Sequence, residues 1–141
     1  MRMLMLHVDH FSSTITEKGR SKIVEEPLSK TMEVEEALLV LASVEKRDKT
    51  KPGDVSTKAI EEVSKLSHQL KVNTIVLHPF AHLFAEMSSP NIALETLKLT
   101  EEGLVRHGFR VLRTPFGWFN TLELKAKGHP LSRVARTISS S

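Results

Sequence analysis

The sequence predicts a single α/β domain in which two main helices cover a mixed sheet of five or six strands. Short continuous apolar runs and two amphipathic segments indicate this class, and 141 residues are enough for one ordinary core. Hydrophobic residues make up 40% of the chain and charged residues 26%, which excludes disordered and low-complexity proteins. The chain contains no Cys, so disulfides, thiolate nucleophiles and Cys-based metal sites are excluded.

The first part of the chain predicts three strands and a loop. Residues 3–8 form an apolar run typical of a buried strand, and residues 37–44 form a second run that predicts a central strand. Between them, residues 11–24 are polar and carry Lys-Gly-Arg at 18–20, which predicts a hairpin returning along the first strand. The charged stretch 45–54 predicts a loop.

A first amphipathic helix follows this loop. We expect it to begin at Asp54 or Ser56 and to end near Leu70, because apolar residues recur there at spacings of three and four. The β-branched run 73–78 comes directly afterwards and predicts a strand, which Pro79 ends because proline cannot donate to a ladder. The order strand, helix, strand implies a right-handed crossover between parallel strands.

A second helix and two strands complete the predicted domain. The Ser-Pro pair at 89–90 is typical of a helix start, and the helix should run to His107 and stop at Gly108. Residues 109–113 and 119–127 then predict two strands separated by a turn.

Charge is unevenly distributed along the chain. Residues 1–102 carry 13 Lys and Arg against 16 Asp and Glu, whereas residues 103–141 carry 7 against 1. The basic segment is compatible both with a polyanionic partner and with a solvated face of no function. No apolar run reaches the length of a membrane span and no signal peptide is recognisable, so we expect a cytoplasmic protein without membrane contact.

The residues that could carry chemistry lie at the ends of predicted strands. Seven His residues are present, but their spacing forms no ligand set, so we expect no metal and no cofactor. Polar and aromatic residues adjoin the apolar runs at 7–9, 44–45, 79–82 and 116–120. Because ligands of α/β sheets bind where strand ends and loops converge, these four clusters predict a pocket.

An alternative interpretation of these clusters remains open from residue chemistry alone. Residue chemistry alone favours a satisfied interior histidine for His82 and core packing for Trp118 and Phe119.

Three spaced motifs resemble a known family. They are Pro-Phe-Ala-His-Leu at 79–83, Pro-Phe-Gly-Trp-Phe at 115–119 and Lys-Gly-His-Pro-Leu-Ser at 127–132. In this order they resemble the N-terminal editing domain of archaeal threonyl-tRNA synthetase, which shares the fold of D-aminoacyl-tRNA deacylase. The resemblance implies an editing domain over residues 1–138, with residues 139–141 as a tail or the start of a linker to a larger synthetase.

The resemblance also implies an activity, namely hydrolysis of L-serine mischarged onto threonine tRNA. Serine lacks one methyl of threonine, and a pocket discriminates a missing methyl by only about 1–3 kcal/mol, so a second site is needed to remove the error. Water would attack the aminoacyl ester with help from backbone amides and the 2′-hydroxyl of the tRNA. The alternatives are a D-aminoacyl-tRNA deacylase and a tRNA-binding or dimerisation domain whose hydrolytic site has decayed.

The implied partners are the acceptor end of threonine tRNA, with its 3′-terminal adenosine, and a second copy of the chain. Catalytic and anticodon-binding domains of a synthetase would be fused to it or work with it.

The motifs carry site roles over to this sequence. The substrate pocket would be lined by Pro79, Phe80, Ala81, His82, Phe116, Gly117 and Phe119. Val44, Glu45 and Phe116 would border the adenine. The residues implied to be catalytic are His82, Asn120 and Arg133.

Two of the catalytic positions depart from the family pattern, which usually has Lys at position 120 and an acidic residue at position 133. Asn120 can donate and accept hydrogen bonds but supplies no cation. Arg133 stays protonated and cannot act as a general base, although one interpretation is that it replaces the missing cation. Phe119 retains an aromatic wall without a hydroxyl.

Overall fold

The computed structural model describes residues 1–48, 51–80 and 88–139. It confirms an α/β domain with two helices and one curled mixed sheet. The strands are β1 (Arg2–Lys18), β2 (Thr31–Val34), β3 (Ala37–Ser43), β4 (Thr74–Pro79), β5 (Arg110–Arg113), β6 (Trp118–Ala126) and β7 (Arg133–Thr137). The helices are α1 (Pro52–Leu70) and α2 (Pro90–Arg106). A short 3-10 turn at Lys46–Asp48 lies between β3 and α1.

Strand β1 organises the sheet because it pairs with four of the other six strands. Its first half lies antiparallel between β3 and β7, and its second half lies antiparallel between β2 and β6. On the other side of β3, strands β4 and β5 follow in parallel register. The parallel strands β3, β4 and β5 therefore end at one edge of the sheet.

The predicted hairpin over residues 11–24 is wrong, because β1 continues without a turn to Lys18. Phe11 pairs with Val34 of β2 on one side and with Leu124 of β6 on the other. The register with β6 shifts twice along β1, and such bulges bend a strand and let a long one follow a curled sheet.

The helices differ from the prediction mainly at the start of α1. This helix begins at Pro52 rather than at Asp54 or Ser56, because proline is well placed in a first helical turn. Helix α2 begins after Ser89 as predicted, and Gly108 lies just beyond its end with a φ of 93° that favours glycine. Neither helix of the described ranges is apolar enough over sufficient length to cross a membrane.

Both helices pack on one face of the sheet and form the larger core. This core joins residues of α1 and α2, such as Val63 and Leu97, to strand residues such as Met3 and Val40. The opposite face carries a second buried cluster without any residue from α1 or α2, comprising Val8, Phe11, Val34, Ala37, Leu39, Leu41 and Val76. Leu4, Leu6, Met32, Leu112 and Leu124 pack around it and are only partly buried. Among the described residues, no helix covers this second face.

Candidate functional site

A pocket of about 530 Å³ lies at the edge where β3, β4 and β5 end. The first turns of α2, the loop 114–117, the start of β6 and residues 19–21 after β1 complete its wall. The carboxyl ends of parallel strands are the usual ligand site of α/β sheets, and this volume suits a small-molecule ligand.

The pocket brings together most of the site residues predicted from the motifs. The residues that line it include Val44, Pro79, Phe80, Phe116, Gly117, Phe119 and Asn120. They come from three of the four predicted strand-end clusters. The fourth cluster, residues 7–9, does not line the pocket, because His7 hydrogen-bonds Glu36 and Asp9 pairs with Lys127. Their individual roles remain predictions.

The remaining predicted residues lie elsewhere or outside the described ranges. Ala81 and His82 are not among the described residues. Glu45 does not line the pocket, and its buried carboxylate lies 3.1 Å from Nε of Arg2. Arg133 does not line the pocket either; it pairs with Leu6 on β1 and donates to Oγ of Ser132 over 3.2 Å. The structure therefore does not bring Arg133 to Asn120.

Asn120 lies in the pocket wall and is held there by β1. Its Nδ2 donates to Oγ of Ser13 over 2.7 Å, and Ser13 is buried. This bond leaves the Oδ1 of Asn120 without a partner among the described residues, so it can accept a hydrogen bond from water. The neighbouring Phe119 is 56% exposed and forms the outer wall.

Sequence reasoning missed a buried polar pair in the pocket wall, His78 and Thr114. Nδ1 of His78 lies 2.8 Å from Oγ1 of Thr114. Burial lowers the pKa of His78 to about 4, so its ring is neutral at pH 7. The only signal in the sequence is the position of His78 directly before Pro79 at a strand end.

Residues 19–25, which we call the strap, close one side of the site. The Gly19 amide donates to the Gly117 carbonyl oxygen over 2.8 Å, and the Glu25 amide donates to the Phe116 carbonyl oxygen over 2.9 Å. Glu25 also accepts through its side chain from the Phe116 amide and through its carbonyl oxygen from Trp118 Nε1, over 2.9 and 2.7 Å. The strap is therefore fixed at both ends to the Pro-Phe-Gly turn.

Gly117 is required by the closeness of the strap. Its φ is 90°, and an added Cβ would lie 2.6 Å from the carbonyl oxygen of Ile23. Both the left-handed backbone and the close approach restrict this position to glycine.

Arg113 ties the strap to α2. Its guanidinium hydrogen-bonds both carboxylate oxygens of Glu25, and its Nε donates to Oε1 of Glu101 over 2.9 Å. Burial raises the pKa of Glu25, but the hydrogen bonds from Arg113 and Phe116 outweigh it and hold this pKa below its usual value. The carboxylate is thus a charged structural group at neutral pH.

The pocket wall itself is almost without charge. Among the described residues that line it, Arg20 is the only one with a formal charge at neutral pH. The described ranges also contain no group of three or more His, Cys, Asp and Glu that could hold a metal ion.

Part of the basic segment found in the sequence is neutralised by the fold. Arg113 pairs with two carboxylates, Lys127 pairs with Asp9 and Glu36, and Arg136 lies 3.4 Å from Glu62. The charge asymmetry along the sequence is therefore smaller on the folded surface.

A sequence model of the archaea-specific editing domain of threonyl-tRNA synthetase matches residues 1–138. The chain belongs to this editing-domain family. The resemblance carried by the three motifs is confirmed.

Longer proteins contain segments similar to this member of the editing-domain family. The threonine-tRNA ligase of Methanopyrus kandleri is 41% identical over 140 residues, which cover 99% of this chain and 22% of the ligase. The ligases of Thermococcus kodakarensis and Methanocaldococcus jannaschii are also 41% identical, over 141 and 138 residues, covering 98% of this chain and 22% of each ligase. The chain thus spans about a fifth of the length of these curated relatives.

Proposed function

We propose that the chain hydrolyses the ester that joins L-serine to threonine tRNA, as an aminoacyl-tRNA hydrolase. The observation that carries this proposal is that two of the family's motifs, distant in sequence, form walls of one pocket at the carboxyl edge of the sheet. Its apolar walls suit an adenosine and a small side chain, and family membership supports the substrate class.

The neutral wall limits which groups can take part in the reaction. Attack by water on the ester carbonyl must form a C–O bond, break the bond to the 3′-oxygen and return a proton to that oxygen. In the described part of the wall, no carboxylate or lysine is available as a base, and the neutral His78 is engaged with Thr114. Asn120 can orient the attacking water through its Oδ1.

Backbone amides contribute less than the motifs imply. Pro79 has no N–H, and the Phe80 N–H donates to the Ala42 carbonyl oxygen over 2.8 Å. The Phe116 N–H is likewise engaged with Glu25. The described residues 79 and 80 therefore offer no free amide to the developing oxyanion, and Ala81 lies outside the described residues. In this proposal the 2′-hydroxyl of the substrate's terminal adenosine positions the water for attack, and Asn120 assists by accepting a hydrogen bond from that water.

The experiment that tests the function is single-turnover deacylation of threonine tRNA by the full chain. L-seryl-tRNA should be hydrolysed at least about tenfold faster than L-threonyl-tRNA. One methyl group changes the transition-state binding free energy in a fitted site by about 1–3 kcal/mol. Negligible hydrolysis of both would contradict editing and support a decayed binding domain. Faster hydrolysis of D-seryl-tRNA than of L-seryl-tRNA would support the D-aminoacyl-tRNA deacylase instead.

The partners implied by the function are a tRNA acceptor end and further synthetase domains. Because the chain matches 22% of the length of the ligases it resembles, we propose that it acts within or beside a longer threonine-tRNA ligase.

We also propose that two copies associate through the second face of the sheet, where no helix of the described ranges lies and several apolar side chains are only partly buried: Leu4, Leu6, Met32, Leu112 and Leu124. Sedimentation equilibrium should give a dimer for the unmodified chain and a monomer for Leu124→Lys, which places a charge on that face. The control Leu28→Lys changes a fully exposed leucine outside both clusters and should leave the dimer intact. A monomeric unmodified chain would contradict the proposal.

A further inference from the structure

Arg20 stands out because it carries a charge where the rest of the site has none. Within the described part of the pocket wall, the other residues are apolar or neutral, and His78 is uncharged at pH 7. Arg20 is exposed, and no described residue forms an ion pair with its guanidinium. An unpaired arginine at the rim of a neutral pocket favours an anionic group of the ligand at that point.

The backbone around Arg20 is fixed rather than free. Gly19, its direct neighbour, donates to Gly117, and the strap is anchored again at Glu25. Glu25 is in turn held by Arg113. The strap therefore presents Arg20 at a defined place in the pocket wall, and only its side chain has to be ordered when a ligand binds.

The neighbouring cations of the chain do not share this position. The ammonium of Lys18 lies 5.8 Å from the ring centre of Trp118, and Lys18 does not line the pocket. Lys22 is exposed two residues further along the strap and does not line the pocket either. Lys22 thus offers a matched control for Arg20, with the same charge on the same segment.

We propose that Arg20 binds the phosphodiester on the 5′ side of the substrate's terminal adenosine. This assignment rests on the proposed function, because it takes an aminoacyl nucleotide as the ligand. The aminoacyl ester and the adenine carry no negative charge, so this phosphate is the nearest anionic group that accompanies them into the site. A guanidinium matches phosphate oxygens with two parallel N–H donors, and such charge-assisted bonds are among the strongest in proteins.

The test compares two non-hydrolysable ligands that differ only in the phosphate. They are seryl-3′-aminoadenosine and its 5′-methylphosphate, and their affinities are measured by isothermal titration calorimetry for the unmodified chain, Arg20→Gln and Lys22→Gln. The unmodified chain should bind the phosphorylated ligand about tenfold more tightly, the size expected for a charge-assisted hydrogen bond at a partly exposed site. Arg20→Gln should bind both ligands equally, and Lys22→Gln should behave as the unmodified chain.

The possible failures are distinguishable. The role of Arg20 is wrong, while the proposed function stands, if the unmodified chain binds both ligands with equal affinity. The same conclusion follows if Arg20→Gln still binds the phosphorylated ligand about tenfold more tightly. If Lys22→Gln loses the affinity difference between the two ligands as fully as Arg20→Gln does, the effect comes from general surface charge, and the assignment to Arg20 is also wrong. If neither ligand binds the unmodified chain, the proposed function fails and the role of Arg20 fails with it.

Discussion

Burial of a histidine in the pocket wall makes stability depend on pH. The pKa of His78 is about 4 in the folded chain, against an ordinary value of 6.5. Between these values the unfolded chain binds a proton that the folded chain does not, so the free energy of unfolding falls as pH falls from about 6.5 to about 4. Over the whole pH range, a pKa shift of this size lowers the free energy of unfolding by about 3 kcal/mol.

Replacing His78 by Asn isolates this effect. An amide can still hydrogen-bond Thr114, but it does not titrate, so His78→Asn should lose less stability than the unmodified chain between pH 7 and pH 4.5. Urea unfolding at several pH values measures the difference. Parallel curves for the two proteins would show that His78 is not held neutral by the fold.

At the residue scale, motif positions were easier to predict than long-range partners. The family resemblance assigns Phe116, Gly117 and Asn120 to the site because they lie in or directly after a short motif, and all three line one pocket. The pair of Glu25 and Arg113 is separated by 88 residues, and nothing in a single sequence joins two such ordinary charges. Arg133 was assigned from its motif position alone, and the fold places it outside the pocket.

The strap is the element that most directly shapes the site. Glu25 joins the strap to the Pro-Phe-Gly turn and, through Arg113, to α2. Removing its charge leaves the largely buried guanidinium of Arg113 with fewer partners. Glu25→Gln should therefore lower the free energy of unfolding by about 1–3 kcal/mol and speed hydrogen exchange at the Phe116 amide.

Glu26→Gln is the matched control for this prediction. Glu26 is the next residue, is exposed, and makes no hydrogen bond or ion pair with the described residues, so its change should leave both measurements within error. Equal stability of the two variants in chemical denaturation would mean that the Glu25 contacts do not hold the strap.

The strand that is buried on both faces was predicted from its own residues. The short strands that form by pairing with another strand were not predicted. The apolar run at 37–44 predicted β3 because a central strand needs apolar residues on both faces. Strands β2 and β7 have four and five residues, and they form only by pairing with β1. The prediction divided the long β1 because it interpreted the polar residues of the second half as a hairpin. In the structure these polar residues alternate with the buried residues Phe11, Ser13 and Ile15, as expected for a strand with one buried side.

At the scale of the whole molecule, the fold redistributes charge between the two parts of the sequence. Basic residues after position 102 pair with carboxylates from the first part, as Lys127 does with Asp9 and Arg136 with Glu62. The described pocket wall contains one cation, Arg20, which comes from the first part of the sequence. The described pocket wall is thus neutral except for one cation, which suits an ester without negative charge that is attached to a phosphate.

The central claim is that such a neutral pocket hydrolyses the ester by using the substrate's own hydroxyl to position water. The most direct measurement is the single-turnover deacylation assay with L-seryl-tRNA that ends in 2′-deoxyadenosine, compared with the ribose form at equal occupancy of the site. We expect the deoxy substrate to bind with similar affinity and to be hydrolysed at least about a hundredfold more slowly, the size of a lost positioning or proton-transfer group. Equal rates for the two substrates would contradict the claim and would require a catalytic group from the protein itself.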